Sequence, residues 1–524
     1  MRSATLTTRK ERRWALFWAV LIVGLACVPY LVAWWITPDT AQYTGLLVNH
    51  YDGQSYYAKM QQGARGDWLF HLPFTSEPHQ GAFVYTFYLG LGHVAAALDL
   101  PIPLMYHLAR ICAGLFLLLV GYQFIARFFD RVHARRAAFL LLGFSSGFGW
   151  LAAPLGLFTA DLWVAEGFTF LSILVNPHFP LTIGLMILIF SVLLDQRGEP
   201  PTVSRVSGAA VLGLALAVVQ PLAVAVVLVV LGVYLLLLAW RERVLPGGGI
   251  VSTGAVAIGA APIVVYDLYA FSTNAALSAW SAQNLTLSLP AWDYALGYGL
   301  VLLLALSGLV AALRRRQHSD LFLLAWVGSV AILLYLPFAL QRRFITGLHV
   351  PLALLAALGL EQIVWTRVPA QRRGLVTGSI IAFTALTNVF VPVVAVAGMA
   401  KQETALVMSK GEAAACDWLA DHTIWNDTVL APVESAQFIP AWAGNRTVYG
   451  HPFETIDAEA KEAETMHFFS LDASRADRRA LLDRYGVRYV LVTEPNTLQD
   501  AEALGLVLVW SGEGAAIYRV VGRQ

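Results

Sequence analysis

Charge is scarce in this chain. Of its 524 residues only 13% are Asp, Glu, Lys or Arg, about half the roughly 25% usual for soluble domains. Against that, 58% are hydrophobic and the mean hydropathy is +0.63. So much apolar surface cannot be hidden inside water-soluble cores, which excludes the soluble, disordered and fibrous classes. A surplus of one sign is missing too: 35 basic residues against 34 acidic ones leave a net charge of +1. There is no broad basic field to draw in a polyanion, so nucleic acid is excluded as a partner. Cysteine is nearly absent, and Cys27, Cys112 and Cys416 are too few and too scattered for a disulfide framework or a metal cluster. No internal repeat with a period of about 20 to 50 residues is present either, which sets aside solenoids and propellers.

What the chain has in abundance is long apolar runs. The first, Trp14 to Ile36, follows Arg9, Lys10, Arg12 and Arg13 and ends in Trp34 and Trp35 with no small-residue cleavage site. That pattern is an uncleaved anchor rather than a signal peptide. Further runs lie near 104–126, 137–157, 180–194, 206–219, 222–240, 249–269, 294–313, 320–338, 345–365 and 374–398. At roughly 20 residues per crossing they predict an α-helical polytopic membrane protein of about eleven spans.

Cations set the expected orientation. The N-terminus and the segments holding Arg127, Arg131, Arg135 and Arg136, then Arg197 and Arg205, Arg241 and Arg243, Arg314 to Arg316, and Arg367, Arg372 and Arg373 alternate with loops that carry only Lys59, Arg65, Arg110, Arg342 and Arg343. The positive-inside bias then places the N-terminus in the cytoplasm of a plasma (inner) membrane and the C-terminal end outside. Ala82 to Leu98, interrupted by His93 and bounded by Pro101 and Pro103, is expected to be a helix lying on the outer face. Gln220 and Pro221 mark a tight turn between two spans.

Beyond residue 400 the pattern changes to mixed polar and apolar segments, with 11 basic and 18 acidic residues. Strand-like runs at 428–431, 447–449, 488–493, 506–510 and 515–520 alternate with helical patterns near 410–420, 434–442, 457–469 and 474–485. The expectation is a transmembrane domain over 1–400 and a small extracytoplasmic α/β domain over 401–524. The latter carries no GxGxxG, P-loop, HExxH or nucleophile-elbow pattern.

Polar chemistry collects in the predicted outer loops, near 37–103, 158–180 and 270–293. The first reads His50-Tyr51-Asp52-Gly53-Gln54-Ser55-Tyr56-Tyr57 and later Ser76-Glu77-Pro78-His79-Gln80, too long and too polar for a mere connector. A helix starting near Asp52 would project Asp52 and Tyr56 from one face, although an Asp there also suits a helix cap. The second loop supplies Asp161, Glu166, Asn176 and His178. The third, from Phe271 to Tyr298, offers the aromatic and amide side chains that sugars use and that membrane interfaces use too. Glu77, His79 and His178 are one conceivable divalent-metal set, without a recognised ligand spacing. Arg342 and Arg343 stand against the positive-inside trend, as paired guanidiniums that hold a phosphate at headgroup level would. Asn284, Asn426 and Asn445 each head an N-x-T sequon.

This layout resembles the C-type (GT-C) membrane glycosyltransferases, the group of the protein O-mannosyltransferases and bacterial aminoarabinose transferases. The likeness covers about residues 1–400. It implies an acidic catalytic residue in the first outer loop, matched by Asp52, a second acid matched by Asp161 or Glu166, and cations near a lipid phosphate matched by Arg342 or Arg343. It departs where Asp52 is followed by Gly53 instead of a second acid. The implied reaction moves a sugar from a polyprenyl-phosphate donor in the bilayer to a protein, lipid or glycan acceptor on the outer face, with inversion, Tyr56, Tyr57 and His79 supporting, and no cofactor beyond a conceivable divalent metal. Two other classes fit the same composition. A lipid or glycolipid flippase would need midplane polar residues and broken helices, and a non-catalytic envelope-assembly protein would need neither.

Overall fold

The computed structural model describes residues 7–194, 201–403, 405–494, 496, 498 and 501–521; Arg197, one of the cations used for orientation, lies outside them. The chain is mostly helical. Among the described residues eight helices are long and apolar enough to cross a membrane: Arg9–Ile36 (α1), Ile102–Ile125, Val132–Leu155, Pro221–Glu242, Gly247–Thr273, Ala291–Arg315, His349–Arg367 and Ala370–Ala400. His178–Leu194, Val203–Val219 and His318–Leu333 are shorter apolar helices. Each apolar run read from the sequence falls on helix over most of its length. Gln220 ends one helix and Pro221 begins the next, the N1 position where proline's missing N–H costs nothing.

The chain divides into two compact units. One takes in Met1–Pro29, His107–Val265 and Thr286–Ala395. Its interior is apolar and aromatic: buried Trp326 packs on Phe190 with ring centroids 4.6 Å apart, and Tyr234 meets Phe322 edge-on at 5.3 Å. The run expected as one span over 137–157 is interrupted. Helix ends at Phe144 and resumes at Gly149, because the intervening backbone turns its N–H groups onto a side chain described below.

The other unit takes in Tyr30–Tyr106, Tyr266–Leu285 and Val396–Gln524. The C-terminal segment is thus one part of a larger body that includes the long first loop. Strand β1 (Ala41–Tyr43) pairs antiparallel with β2 (Val407–Ser409), and two helices follow β1, α2 (His50–Ala64) and α3 (Thr86–Ala97). At 12 residues α3 is too short to span, as its flanking prolines led one to expect. Glycine lets α2 and α3 touch: a Cβ on Gly63 would lie 2.0 Å from the Leu89 carbonyl oxygen, and one on Gly92 2.0 Å from that of Met60.

Five strands form the C-terminal sheet: β3 (Thr428–Leu430), β4 (Arg446–Thr447), β5 (Val487–Thr493), β6 (Leu506–Gly512) and β7 (Ala515–Val520), in the order β4-β3-β5-β7-β6. β3 runs parallel to β4 and β5, while β7 is antiparallel to both β5 and β6. Alternation explains why both faces are covered. Val429 and Leu491 enter one core with Cys416 and Leu419, whereas Leu430, Val490 and Val492 enter another with Phe468 and Leu482.

Candidate active site

The first-loop helix begins at His50, so Asp52 stands in its first turn and is not the cap; Asn49 holds that place in a left-handed conformation. Asp52 is partly exposed, and its carboxylate takes no side-chain hydrogen bond among the described residues. Tyr56, one turn on, stacks on Tyr88 with ring centroids 4.3 Å apart and planes 6° from parallel. Tyr57 faces the other way, buried edge-on against Tyr106 and Trp442. Both tyrosines thus help to hold α2.

Residues i, i+3 and i+7 share a helix face, here Asp52, Ser55 and Lys59. Lys59 is buried within reach of the rings of Tyr85, Phe70 and Tyr56, at 4.6, 5.3 and 5.6 Å, and donates to Ser55 and, at 2.8 Å, to Glu454. Ser55 also donates to Glu454, at 2.5 Å. Burial would lift the Glu454 carboxyl, but the Lys59 ammonium, with the Ser55 hydroxyl, holds it below the usual carboxylate range. The His451 ring accepts the N–H groups of Phe453 and Glu454 on Nδ1, at 3.0 and 3.1 Å, and packs 5.8 Å from Tyr51. Burial pushes its pKa down, against the opposing pull of Glu454, Asp52 and a hydrogen bond to the Tyr51 backbone; Nδ1, which accepts two N–H groups, carries no proton. This turn is braced from the third loop. Trp280 donates to the Phe453 carbonyl at 2.8 Å and Gln283 to that of Thr455 at 2.5 Å, while Asn274 caps the helix Ala275–Gln283 that carries them both. Asn274, Trp280 and Gln283, among the aromatic and amide side chains of that loop, are thus engaged in holding this turn.

Glu77 and His79 are structural as well. Glu77 pairs with buried Lys461 and accepts from Thr75; burial works to raise its pKa, and these partners bring it below the ordinary value. His79 bonds the Glu77 carbonyl through Nδ1 at 2.7 Å and accepts the Leu72 N–H on Nε2 at 2.8 Å. Its one lone pair is spent. The metal set of Glu77, His79 and His178 is therefore corrected: His79 has nothing left for a cation, and no cluster of three metal-ligating side chains occurs among the described residues. Asn445 is likewise no glycan acceptor in the folded chain, since its buried amide nitrogen donates to Thr423 and to the Ile424 carbonyl.

In the unit of membrane helices the two second-loop acids differ. Asp161 is buried, and both oxygens are taken: Oδ2 by the N–H groups of Gly147 and Gly149 at 3.1 and 2.9 Å and by Ser146, Oδ1 by Thr159 at 2.7 Å. This is what breaks the helix at Phe144, and a Cβ on Gly149 would strike the carboxylate at 2.7 Å. Burial pushes the Asp161 pKa up while these donors oppose it. Glu166, in a short 3-10 turn Ala165–Gly167, has no side-chain hydrogen bond among the described residues, although its carbonyl accepts from Gly347 at 3.2 Å. That contact docks the loop of Arg342 and Arg343 against the Glu166 turn, and the Arg342 guanidinium lies 4.3 Å over the ring of Trp163. Glu166, Arg342 and Arg343 are thus brought into one neighbourhood.

Asn176 and His178 end and begin consecutive buried helices, Thr169–Val175 and His178–Leu194. Beside them lies buried Arg110, which donates to the Ile173 and Leu174 carbonyls at 2.8 and 3.3 Å. The sequence marked Arg110 and Lys59 only as outer cations and passed over Ser55, His451 and Glu454. A cation at i+7 from Asp52 was the available signal for Lys59.

No family model matches the chain, and no curated protein matches it. Solved structures do. ArnT from Cupriavidus metallidurans, bound to undecaprenyl phosphate, is similar with a TM-score of 0.55 at 15% identity, over 97% of this chain and 99% of that one. The apo oligosaccharyltransferase of Archaeoglobus fulgidus gives 0.52 at 14% identity, over 90% and 69%. The chain has the fold of the C-type membrane glycosyltransferases. The ArnT match runs through the C-terminal sheet as well as the helices, so the GT-C likeness extends beyond the 400 residues over which the sequence resembled that group.

Proposed function

We propose that this protein is a membrane glycosyltransferase that moves a sugar from a polyprenyl-phosphate donor to an acceptor on the extracytoplasmic face. The observation that carries the reading is the accessible, unshared carboxylate of Asp52 at the start of the first-loop helix, in a chain with the C-type fold. Asp52 takes the acceptor O–H proton as that oxygen attacks the anomeric carbon. The bond from that carbon to the phosphate oxygen breaks, its electron pair stays on the phosphate, and attack from the opposite side inverts the centre. Arg342 and Arg343 stabilise the charge gathering on the lipid phosphate. Glu166, the second-loop acid with an uncommitted carboxylate, orients the donor beside them, while Asp161 holds the backbone turn. The N-terminus is cytoplasmic and residues 401–524 lie outside, as the cation pattern favours.

The test is transfer or hydrolysis from a panel of radiolabelled polyprenyl-phosphate sugars in proteoliposomes, with wild type, Asp52→Asn and the double variant Arg342→Ala, Arg343→Ala. Sugar release by wild type that is lost in both variants supports the assignment. Full turnover by Asp52→Asn removes that residue as the base, and lipid translocation without turnover of any donor replaces the enzyme with a flippase.

A further inference from the structure

One stretch of chain, residues 286–298, holds both sides of the Glu166 and Arg342 neighbourhood. At its start Thr286 pairs with the loop of Arg342: its N–H donates to the Ala339 carbonyl at 2.7 Å, and its own carbonyl accepts the Arg342 N–H at 3.1 Å. Tyr335 adds a third tie, donating to the Leu289 carbonyl at 3.0 Å. From residue 291 the stretch is helical and reaches the second loop. Asp293 Oδ1 accepts the Ala160 N–H at 2.7 Å, and the Tyr298 hydroxyl donates to the Gly167 carbonyl at 3.0 Å. Ala160 and Gly167 stand on either side of the segment from Asp161 to Glu166. The two grips therefore close on both ends of the piece that carries the second-loop acids.

The stretch is itself tied down. The Tyr294 hydroxyl bonds Ser288 at 2.9 Å, the Tyr298 ring stacks on Phe168 at 4.7 Å, and the Leu296 carbonyl accepts the Phe148 N–H at 2.9 Å. It ends at Gly299, whose φ of 47° and ψ of −126° interrupt the helix. Burial makes the grips costly: Asp293 and Tyr298 are 5% and 2% exposed, and a buried carboxylate that bonds a backbone N–H of another loop gives up its hydration for that contact. Glu166 is the group they serve. Its side chain has no hydrogen bond among the described residues, so the course of its backbone aims it.

Resting on the glycosyltransferase reading, we propose that Asp293 and Tyr298 are positioning residues for donor use, which set the place of Glu166 relative to Arg342 and so the fit of the sugar-phosphate between them. Both act through the second loop, not on the substrate. A reacting assembly displaced by about 1 Å can lose a hundredfold in rate, and a grip of this kind acts on the rate through the group it aims.

The full-length protein in nanodiscs tests this with the polyprenyl-phosphate sugar that wild type turns over. Donor KM and kcat are measured below the unfolding temperature of every variant. Asp293→Ala removes the acceptor of the Ala160 N–H, Asp293→Asn keeps a carbonyl oxygen for it, and Tyr298→Phe keeps the ring and loses the hydroxyl. Donor kcat/KM should fall about ten- to hundredfold in Asp293→Ala. In Tyr298→Phe it should fall about five- to tenfold, the size of one neutral hydrogen bond, and Asp293→Asn should recover most of the first loss. Each variant is then repeated in Glu166→Gln. A residue that acts through Glu166 costs little more once that carboxylate is gone, whereas a general loss of structure multiplies with it. If Asp293→Ala does not fold, Tyr298→Phe carries the same cycle with the ring kept. Multiplying losses, no recovery in Asp293→Asn, or unchanged kcat/KM in the single variants overturns the positioning role while wild-type turnover leaves the enzyme standing. A wild type that turns over no lipid-linked sugar removes both.

Discussion

Asp52 and Asp161 are the same residue in loops of the same expected kind, and the molecule treats them in opposite ways. Asp161 sits among the membrane helices with donors on both oxygens, two of them backbone N–H groups of a broken helix. Asp52 stands in the first turn of α2, partly exposed, with no side-chain hydrogen bond among the described residues. A carboxylate whose lone pairs are spent on its own backbone is a structural pin, and one whose lone pairs are open can take a proton. Counting donors separates the two where residue type and loop position do not.

The largest effect that would break this contrast is on rate. Asp52→Asn is expected to lower sugar transfer by about 10² to 10⁴, the range for a general base, with the unfolding temperature unchanged. A fall in thermal stability instead would mean that Asp52 is a pin like Asp161. Next in size is Lys59→Ala, which leaves the Glu454 carboxylate without its cation in a buried setting. About 3–5 kcal/mol of stability should go, seen as a lowered denaturation midpoint, and Lys59→Met paired with Glu454→Leu should restore most of it. Asp161→Asn turns an amide N–H₂ toward backbone N–H groups and should cost about 1–3 kcal/mol. Transfer measured below the unfolding temperature should survive, whereas Glu166→Gln should leave stability alone and weaken donor use.

The smallest effect is with pH. Burial holds His50, His71, His79 and His451 below the ordinary imidazole value. The unfolded chain therefore binds more protons than the folded one just below about pH 6.5. Their contribution is complete above that pH and declines as pH falls, so the unfolding temperature should drop between pH 7 and pH 5. His451→Gln should flatten part of that slope. A rise in stability over the same interval would show that these rings are charged in the folded state.

Much of the architecture was legible because it rests on local pattern. Twenty-residue apolar runs have one stable form in a bilayer, and the alternation over 488–493 and 515–520 can bury both faces only as strands. The place of Asp52 in the first turn of α2 was legible for the same reason, since a helix start and its i+4 partner lie within five residues. His451 and Glu454 were not. Glu454 takes its place from Lys59 and Ser55, 395 and 399 residues away, and no periodicity spans such a distance. Asp161 misled because its donors are backbone N–H groups, which every residue but proline carries and no sequence displays.

The pairing of β1 with β2 and of Lys59 with Glu454 also has a timetable. At about 5 to 20 residues per second, the ribosome finishes Glu454 roughly 20 to 80 s after Lys59. Throughout that interval the ammonium group of Lys59 has no carboxylate, β1 has no neighbour, and the face bearing Asp52 lies open. A nascent chain arrested before residue 407 therefore exposes an unpaired strand edge and an uncovered cation together, the kind of intermediate that membrane-associated chaperones and proteases inspect.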